Sequence, residues 1–305
     1  MGTPDFAVPS LERLAQGAHT VAAVVTRPDA QQGRGRGLAP PPAKTTAAAL
    51  GLPILQPEFL SDPGFLNALK AFDADLFVVV AFPILPGEVL ALPRRGAVNL
   101  HGSLLPKYRG AAPVQRAIMA GETETGLTTF LLKPRVDAGD ILMQRRVRIE
   151  PEETAGELVD RMKHIGADLL AETIDGLASD SLTPVPQPSK GVTKAPKLSR
   201  EDGRMDWSRD AETLHNLIRG TNPEPGAFTT WRGQPLKVHR AILDPAAPPG
   251  KSGEIVWTNP AGGVAVATGR GGIRLTEVQM SGKKRTIGAE WVRGYRVQVG
   301  ERLGE

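Results

Sequence analysis

Two short apolar runs stand out along the chain, Thr20 to Thr26 (TVAAVVT) and Asp75 to Ala81 (DLFVVVA). Runs of this length, rich in β-branched residues, suit the inner strands of a parallel sheet covered on both faces. Helical spacing alternates with them over Val8 to Gln16, Ala43 to Leu50 and Pro63 to Phe72. That alternation predicts a doubly wound, Rossmann-like α/β domain. Further strands are predicted at Ala97 to His101, at Gly126 to Leu132, and at Ile141 to Ile149, where apolar and basic residues alternate. Thr154 and Glu157 have capping-box spacing, and Leu158, Met162, Ile165, Leu169 and Ile174 recur at the helical period, so residues 155-178 are predicted as one long helix.

The pattern breaks at Thr183-Pro-Val-Pro-Gln-Pro188, which sustains neither a helix nor an inner strand. Residues 181-206 are therefore expected to link a first domain, 1-180, to a second, 207-305. Beyond Trp207 a short helix, Ala211 to Arg219, precedes short strands at Pro235 to Ile242, Gly253 to Trp257, Gly263 to Thr268 and Ile273 to Met280. Their spacing predicts a small, OB-like β-barrel. The length of 305 residues agrees with two domains of roughly 150 residues each.

Composition narrows the chemistry. With no cysteine, disulfides, thiolate nucleophiles and zinc-thiolate sites are excluded. The histidines at 19, 101, 164, 215 and 239 never fall three or four residues apart, so no bound metal is expected. No apolar run approaches the ~18 residues of a membrane span. The opening Met-Gly-Thr-Pro-Asp-Phe lacks the features of a secretory signal, and a cytoplasmic protein without a membrane partner is expected. Charge is uneven: 23 Lys and Arg stand against 24 Asp and Glu in residues 1-206, but 14 against 9 in 207-305. The asymmetry suggests that the second part meets a polyanion, and charge alone leaves an ordinarily basic surface equally open.

Candidate chemistry centres on Asn99-Leu-His-Gly-Ser-Leu-Leu-Pro-Lys-Tyr-Arg-Gly110, which starts on a predicted strand and runs into a loop. Ligands of open α/β sheets bind at the carboxyl ends of strands. Asn99 and His101, two apart on a strand, face the same way. Asp137, in Val136-Asp-Ala-Gly-Asp140, lies in a turn between two predicted strands, where a carboxylate would raise the pKa of a nearby imidazole. An amide donor, an imidazole and a carboxylate suit acyl transfer to an amine, which must lose a proton while an oxyanion develops. Plainer roles stay open for each: Asn99 capping a turn, His101 a satisfied core imidazole, Asp137 closing an Asx-turn. A serine hydrolase on Ser103, His101 and Asp137 is disfavoured, because no Gly-x-Ser-x-Gly elbow is present.

Residues 99-113 (NLHGSLLPKYRGAAP) followed by Asp137-Ala-Gly-Asp140 closely resemble the formyltransferases that use 10-formyltetrahydrofolate. Gly2-Thr-Pro-Asp-Phe-Ala7, Gly33-Arg-Gly-Arg-Gly-Leu38 after Thr26-Arg-Pro-Asp29, Ala195-Pro-Lys-Leu198 with Asp206-Trp207, Gly282-Lys-Lys-Arg285 and Arg293-Gly-Tyr-Arg296 are similar to the branch acting on methionyl-tRNA. The resemblance implies transfer of a formyl group from 10-formyltetrahydrofolate to the α-amino group of methionyl initiator tRNA. It implies Asn99, His101 and Asp137 as catalytic residues. Ser103, Leu104, Leu105 and Pro106 would contact the folate, and Phe82, Ile84, Leu85 and Pro86 would shape its pterin pocket. It further implies Arg34 and Arg36 reaching the tRNA acceptor end, and Lys283, Lys284, Arg285, Arg293 and Arg296 contacting its phosphates. A monomer is expected.

Three departures stand beside it. Phe82-Pro83 replaces the family's usual Tyr-Gly, and Glu224 stands where the family has Trp. Family members also carry an apolar strand before Gly-Thr-Pro, so about eight or more further residues are expected upstream of Met1. Two other readings remain: a folate-dependent formyltransferase acting on a nucleotide amino-sugar, and a non-catalytic RNA-binding protein.

Overall fold

The chain builds two units, and neither is continuous in sequence. In the computed structural model, which describes residues 1–32 and 37–305, the first unit is Met1–Pro113, Thr125–Val147 and Val159–Ala195. The second gathers Val114–Glu124, Arg148–Leu158 and Pro196–Glu305.

The first unit holds β1 (Val24–Val25), a ribbon of β2 (Ala30–Gln32) and β3 (Gly37–Ala39), then β4 (Ile54–Leu55), β5 (Phe77–Val80), β6 (Ala97–His101) and most of β7 (Glu124–Leu131) and β8 (Ile141–Arg148). Helices α1 (Val8–Ala15), α2 (Pro42–Ala49), α3 (Pro63–Ala71) and the short α4 (Gly87–Leu90) alternate with them. Helix α5 (Pro113–Met119) and the first turn of α6 (Ala155–Ala178) fall largely to the second unit. β1 pairs with β4 in parallel, and β5-β6-β7-β8 form a four-stranded sheet in which β5 and β6 are parallel and β6 and β7 antiparallel.

Met1 and Gly2 run between these sheets. The Gly2 amide donates to the Val25 carbonyl at 3.0 Å, and the Val80 amide donates to the Met1 carbonyl at 2.9 Å. The strand expected over residues 20-26 is confined to Val24–Val25. Residues 20–23 instead border a cavity of about 650 Å³. Below the sheet, Val25, Phe65, Leu69, Phe77, Val79 and Val89 form a buried core.

Helix α6 has the predicted bounds. Its capping box is present: the Thr154 amide donates to Glu157 Oε2 at 2.9 Å, and the Glu157 amide donates to Thr154 Oγ1 at 3.3 Å. A Cβ added at Gly166 would lie 2.8 Å from Leu100 Cδ2, so α6 packs closely on β6 and sets its height. The Pro-rich stretch after α6, expected as a link, lies along the first unit as a strap. Val185 and Ile141 exchange backbone hydrogen bonds of 2.8 Å, and Arg109 donates to Thr193 and accepts from Ala195 at 2.9 and 2.7 Å.

The second unit holds α7 (Ala211–Thr221), β9 (Ala227–Trp231), β10 (Gln234–Leu243), β11 (Ile255–Asn259), β12 (Gly263–Ala267), β13 (Gly272–Met280), β14 (Thr286–Ile287) and α8 (Gly288–Tyr295). The sheet order is β11-β12-β13-β10-β9, with β14 on β13. The expected OB-like β domain is thus present as a six-stranded sheet whose hydrogen-bonded ladder does not close on itself. Among the described residues its edges β9 and β11 share no ladder, but the C-terminal segment spans them: Ile255 donates to Glu301 and accepts from Gly300 at 2.8 and 2.9 Å, Leu303 donates to Gly253 at 2.8 Å and Gly304 to Thr230 at 2.9 Å. Trp231 packs edge-on to Trp291 and Tyr295, with centroids 5.1 and 5.9 Å away. β9 and α8 were not expected. β9 is five residues between Gly226 and Arg232-Gly233, and α8 starts at Ile287 without a side-chain cap. Among the described residues no helix is long and apolar enough to cross a membrane.

The Met1 amine is half-buried and donates to the Val78 carbonyl at 2.7 Å; desolvation lowers it from an ordinary 8.0 to about 5. Between these values the unfolded chain holds a proton that the folded chain does not. Stability of the 305-residue chain should therefore rise from pH 5 to pH 8 and be lost as pH falls through that window. Urea midpoints across the range, with and without acetylation of the Met1 nitrogen, check this. Acetylation should flatten the slope, and an unaltered slope would assign it to other groups.

Candidate active site

β5 and β6 run in parallel with Val80 opposite Leu100, so loops 81–86 and 102–110 leave the same edge of the sheet. That edge is where α/β sheets bind ligands. On β6 the side chains of Asn99 and His101 share a face, and Leu100 turns to the core. Among the described residues none hydrogen-bonds the Asn99 carboxamide, which leaves its N–H groups for a ligand.

The His101 side chain is 7% exposed and its Nε2 lies 2.9 Å from the Tyr108 carbonyl. A carbonyl only accepts, so Nε2 carries the hydrogen and Nδ1 is the nitrogen able to take up a proton. Nδ1 faces Asp137 Oδ2 at 3.8 Å, longer than a hydrogen bond. Asp137 Oδ2 in turn accepts the Gly110 amide at 2.8 Å. Phe130 holds the imidazole edge-on at 6.4 Å. Two glycines are required by this approach. A Cβ at Gly139 would fall 1.6 Å from the Leu131 carbonyl oxygen, and one at Gly110 would fall 2.5 Å from that of Ala195.

The predicted folate residues divide. Ser103 is buried and its hydroxyl donates to the Lys107 carbonyl at 2.6 Å, so that hydroxyl is already used. Leu105 and Leu85 are buried as well, whereas Leu104, Pro106, Phe82 and Pro86 are part-exposed and Ile84 is 73% exposed. Missing from the sequence reading was Thr128, fully buried opposite His101 on β7. Its hydroxyl donates to the Ser103 carbonyl at 2.6 Å and accepts the Leu105 amide at 3.1 Å and Gln144 Nε2 at 2.9 Å. No sequence signal marked it, because a threonine on a strand is ordinarily a surface or packing residue.

Of the predicted tRNA residues, Arg34 and Arg36 lie outside the described residues. Lys283 and Lys284 are exposed in the turn between β13 and β14, and among the described residues neither is ion-paired. Arg285 pairs with Glu277; burial lowers its pKa, nearby Arg240 adds to that and Glu157 opposes it. Arg293 on α8 donates to the Pro260 carbonyl, and Arg296 is exposed at the helix end with φ 53°. Burial also lowers the pKa of His239, against its Gln279 hydrogen bond, and Arg285 and Lys237 add to the effect. Among the described residues no three potential metal ligands gather.

Two families match the chain: formyl transferase over residues 1–174, and the formyl transferase C-terminal domain over residues 197–296. The methionyl-tRNA formyltransferase of Moorella thermoacetica is 47% identical over 305 residues, which covers 100% of this chain and 98% of that protein. Among solved structures, HypX from Aquifex aeolicus in complex with tetrahydrofolic acid matches with a TM-score of 0.62 and 19% identity. The match covers 84% of this chain, which spans only 45% of HypX. A sugar 3N-formyl transferase, WlaRD, matches with a TM-score of 0.67 and 18% identity over 93% of this chain and 97% of its own. At these identities the two structures bear on the fold alone.

Thr128→Val keeps the shape of the side chain and strands the Ser103 carbonyl and the Leu105 amide away from water. It should lower stability by about 2 kcal/mol and speed hydrogen exchange at Leu105, with Thr128→Ser recovering most of both. Equal stability of the valine variant in denaturant titration would show that water replaces the hydroxyl.

Proposed function

The chain belongs to the formyl transferase family along both of its parts, and from that premise we propose that it is a methionyl-tRNA formyltransferase. It transfers the formyl group of 10-formyltetrahydrofolate to the α-amino group of methionyl initiator tRNA, giving the formylated tRNA for translation initiation. The observation that carries the chemistry is the strand-end cluster of Asn99, His101 and Asp137, with His101 Nδ1 left open towards the carboxylate.

The neutral amine attacks the formyl carbon, and a tetrahedral oxyanion forms. Asn99 donates to that oxyanion. His101 accepts the proton of the attacking nitrogen at Nδ1, and Asp137 stabilises the imidazolium. The proton passes to N10 as the carbon–nitrogen bond breaks and tetrahydrofolate leaves. Residues 1-180 form the catalytic domain in this reading and 181-206 the link. Residues 207-305 bind tRNA, through Lys283, Lys284, Arg285, Arg293 and Arg296, while Arg34 and Arg36 reach the acceptor end. Leu104, Pro106, Phe82, Ile84 and Pro86 offer the folate its surface, with Ser103, Leu105 and Leu85 holding their loops. The enzyme works as a cytoplasmic monomer.

A nucleotide amino-sugar acceptor shares the chemistry but makes no use of the basic turn at Lys283 and Lys284. Formyl transfer to methionyl initiator tRNA, methionyl elongator tRNA and a nucleotide amino-sugar, assayed side by side, separates the two. Transfer confined to initiator tRNA is expected, and transfer to the sugar alone would overturn the assignment. Asn99→Ala should lower kcat about 100- to 1,000-fold, as loss of an oxyanion donor does. The pair Lys283→Ala and Lys284→Ala should raise KM for tRNA and flatten its logarithmic salt dependence by about 1 to 2, with KM for the folate unchanged. A salt slope equal to wild type would remove these lysines from the interface.

A further inference from the structure

The strap after α6 does more than join two parts of the chain. Gln187, at its centre, uses both ends of its carboxamide. Nε2 donates to the carbonyl oxygens of Asp137 at 2.9 Å and Gly139 at 2.7 Å. Oε1 accepts from Arg109 Nη2 at 2.6 Å and Nε at 3.1 Å. One side chain thus ties the turn bearing Asp137 to the residue between Tyr108, whose carbonyl holds His101, and Gly110, whose amide holds the Asp137 carboxylate.

Three features make this tie specific. Asp137 has φ 46° and Tyr108 φ 58°, left-handed backbone that side-chain-bearing residues keep only where neighbours compel it. The strap is anchored on both sides of Gln187, at Val185 by Ile141 and at Thr193 and Ala195 by Arg109, with Thr193 Oγ1 also accepting the Tyr108 amide at 2.8 Å. Lastly, the task needs donor and acceptor at once. A glutamate has no hydrogen to give two carbonyls, and an apolar residue would leave a guanidinium whose pKa burial already lowers without its acceptor.

We infer that Gln187 is a positioning residue for formyl transfer, setting Asp137 against His101 through the Asp137 backbone and Arg109 while touching no reacting atom. The inference rests on the transfer reading above. Gln187→Met keeps the volume and loses both ends of the tie, and Gln187→Glu keeps the acceptor for Arg109 and loses the donors.

Both variants should lower kcat about 10- to 100-fold, as a misplacement of about 1 Å at a reacting group does. KM for 10-formyltetrahydrofolate and for tRNA should stay within about twofold. Hydrogen exchange supplies a readout independent of turnover. Residues 137–141 should exchange about tenfold faster in both variants, and residues 108–112 faster in Gln187→Met but not in Gln187→Glu, if the tie is worth about 1.4 kcal/mol. Wild-type kcat in both variants would overturn the inference, as would unaltered exchange at 137–141. Should the wild-type chain transfer no formyl group while exchange responds as expected, the bracing would stand and the transfer reading would fall.

Discussion

Loop 102–112 is neither helix nor strand, yet much of it is withdrawn from water. Peptide groups in that position need partners, since each one left unpaired costs about 1 to 3 kcal/mol. The partners come from three directions. Thr128 meets the Ser103 carbonyl and the Leu105 amide, Asp137 meets the Gly110 amide, and the strap at Thr193 and Ala195 meets Arg109 and Ala112. Satisfying the loop and shaping the site are the same act here. The carboxylate that closes the Gly110 amide is the one facing His101, and the carbonyl that fixes the imidazole belongs to the loop so closed.

Electrostatics follows from this arrangement. His101 has one nitrogen committed to a carbonyl and one left to take a proton beside a carboxylate, so a single buried ring is given a direction. In the second unit, cationic side chains are graded by their partners. Lys283 and Lys284 project from a turn, while Arg285 is held by Glu277 and Arg293 by a backbone carbonyl. Equal formal charge in the sequence therefore does not mean equal availability to a phosphate. The two lysines are the strongest candidates for phosphate contacts.

Much of the fold was legible because its causes are local. Helix α6 begins at a capping box and keeps an apolar face at the helical period, and both signals lie within the segment itself. β6 was legible from its pattern, and Asn99 and His101 from their alternation upon it. Legibility failed where pairing decided the outcome. Residues 20–23 have strand composition but, among the described residues, no ladder partner beside them. β9 is a strand because β10 lies next to it, and the C-terminal segment 300–304 is read only from its hydrogen bonds to Gly253, Ile255 and Thr230.

By itself the sequence determined the element types over the long periodic segments, the absence of thiol chemistry, the resemblance to folate-dependent formyltransferases and the choice of Asn99, His101 and Asp137 as candidates. These depend on residue type and short spacing, which a linear chain records in full. Only the tertiary structure decided which histidine nitrogen is open, that the Ser103 hydroxyl is spent on its own loop, that Thr128 holds that loop, and that a Pro-rich stretch carries Gln187 to the Asp137 turn. Each of these is a contact between residues as many as 78 positions apart, such as Arg109 and Gln187. Such a contact exists only once the backbone has folded and buried polar groups have competed for the partners within reach.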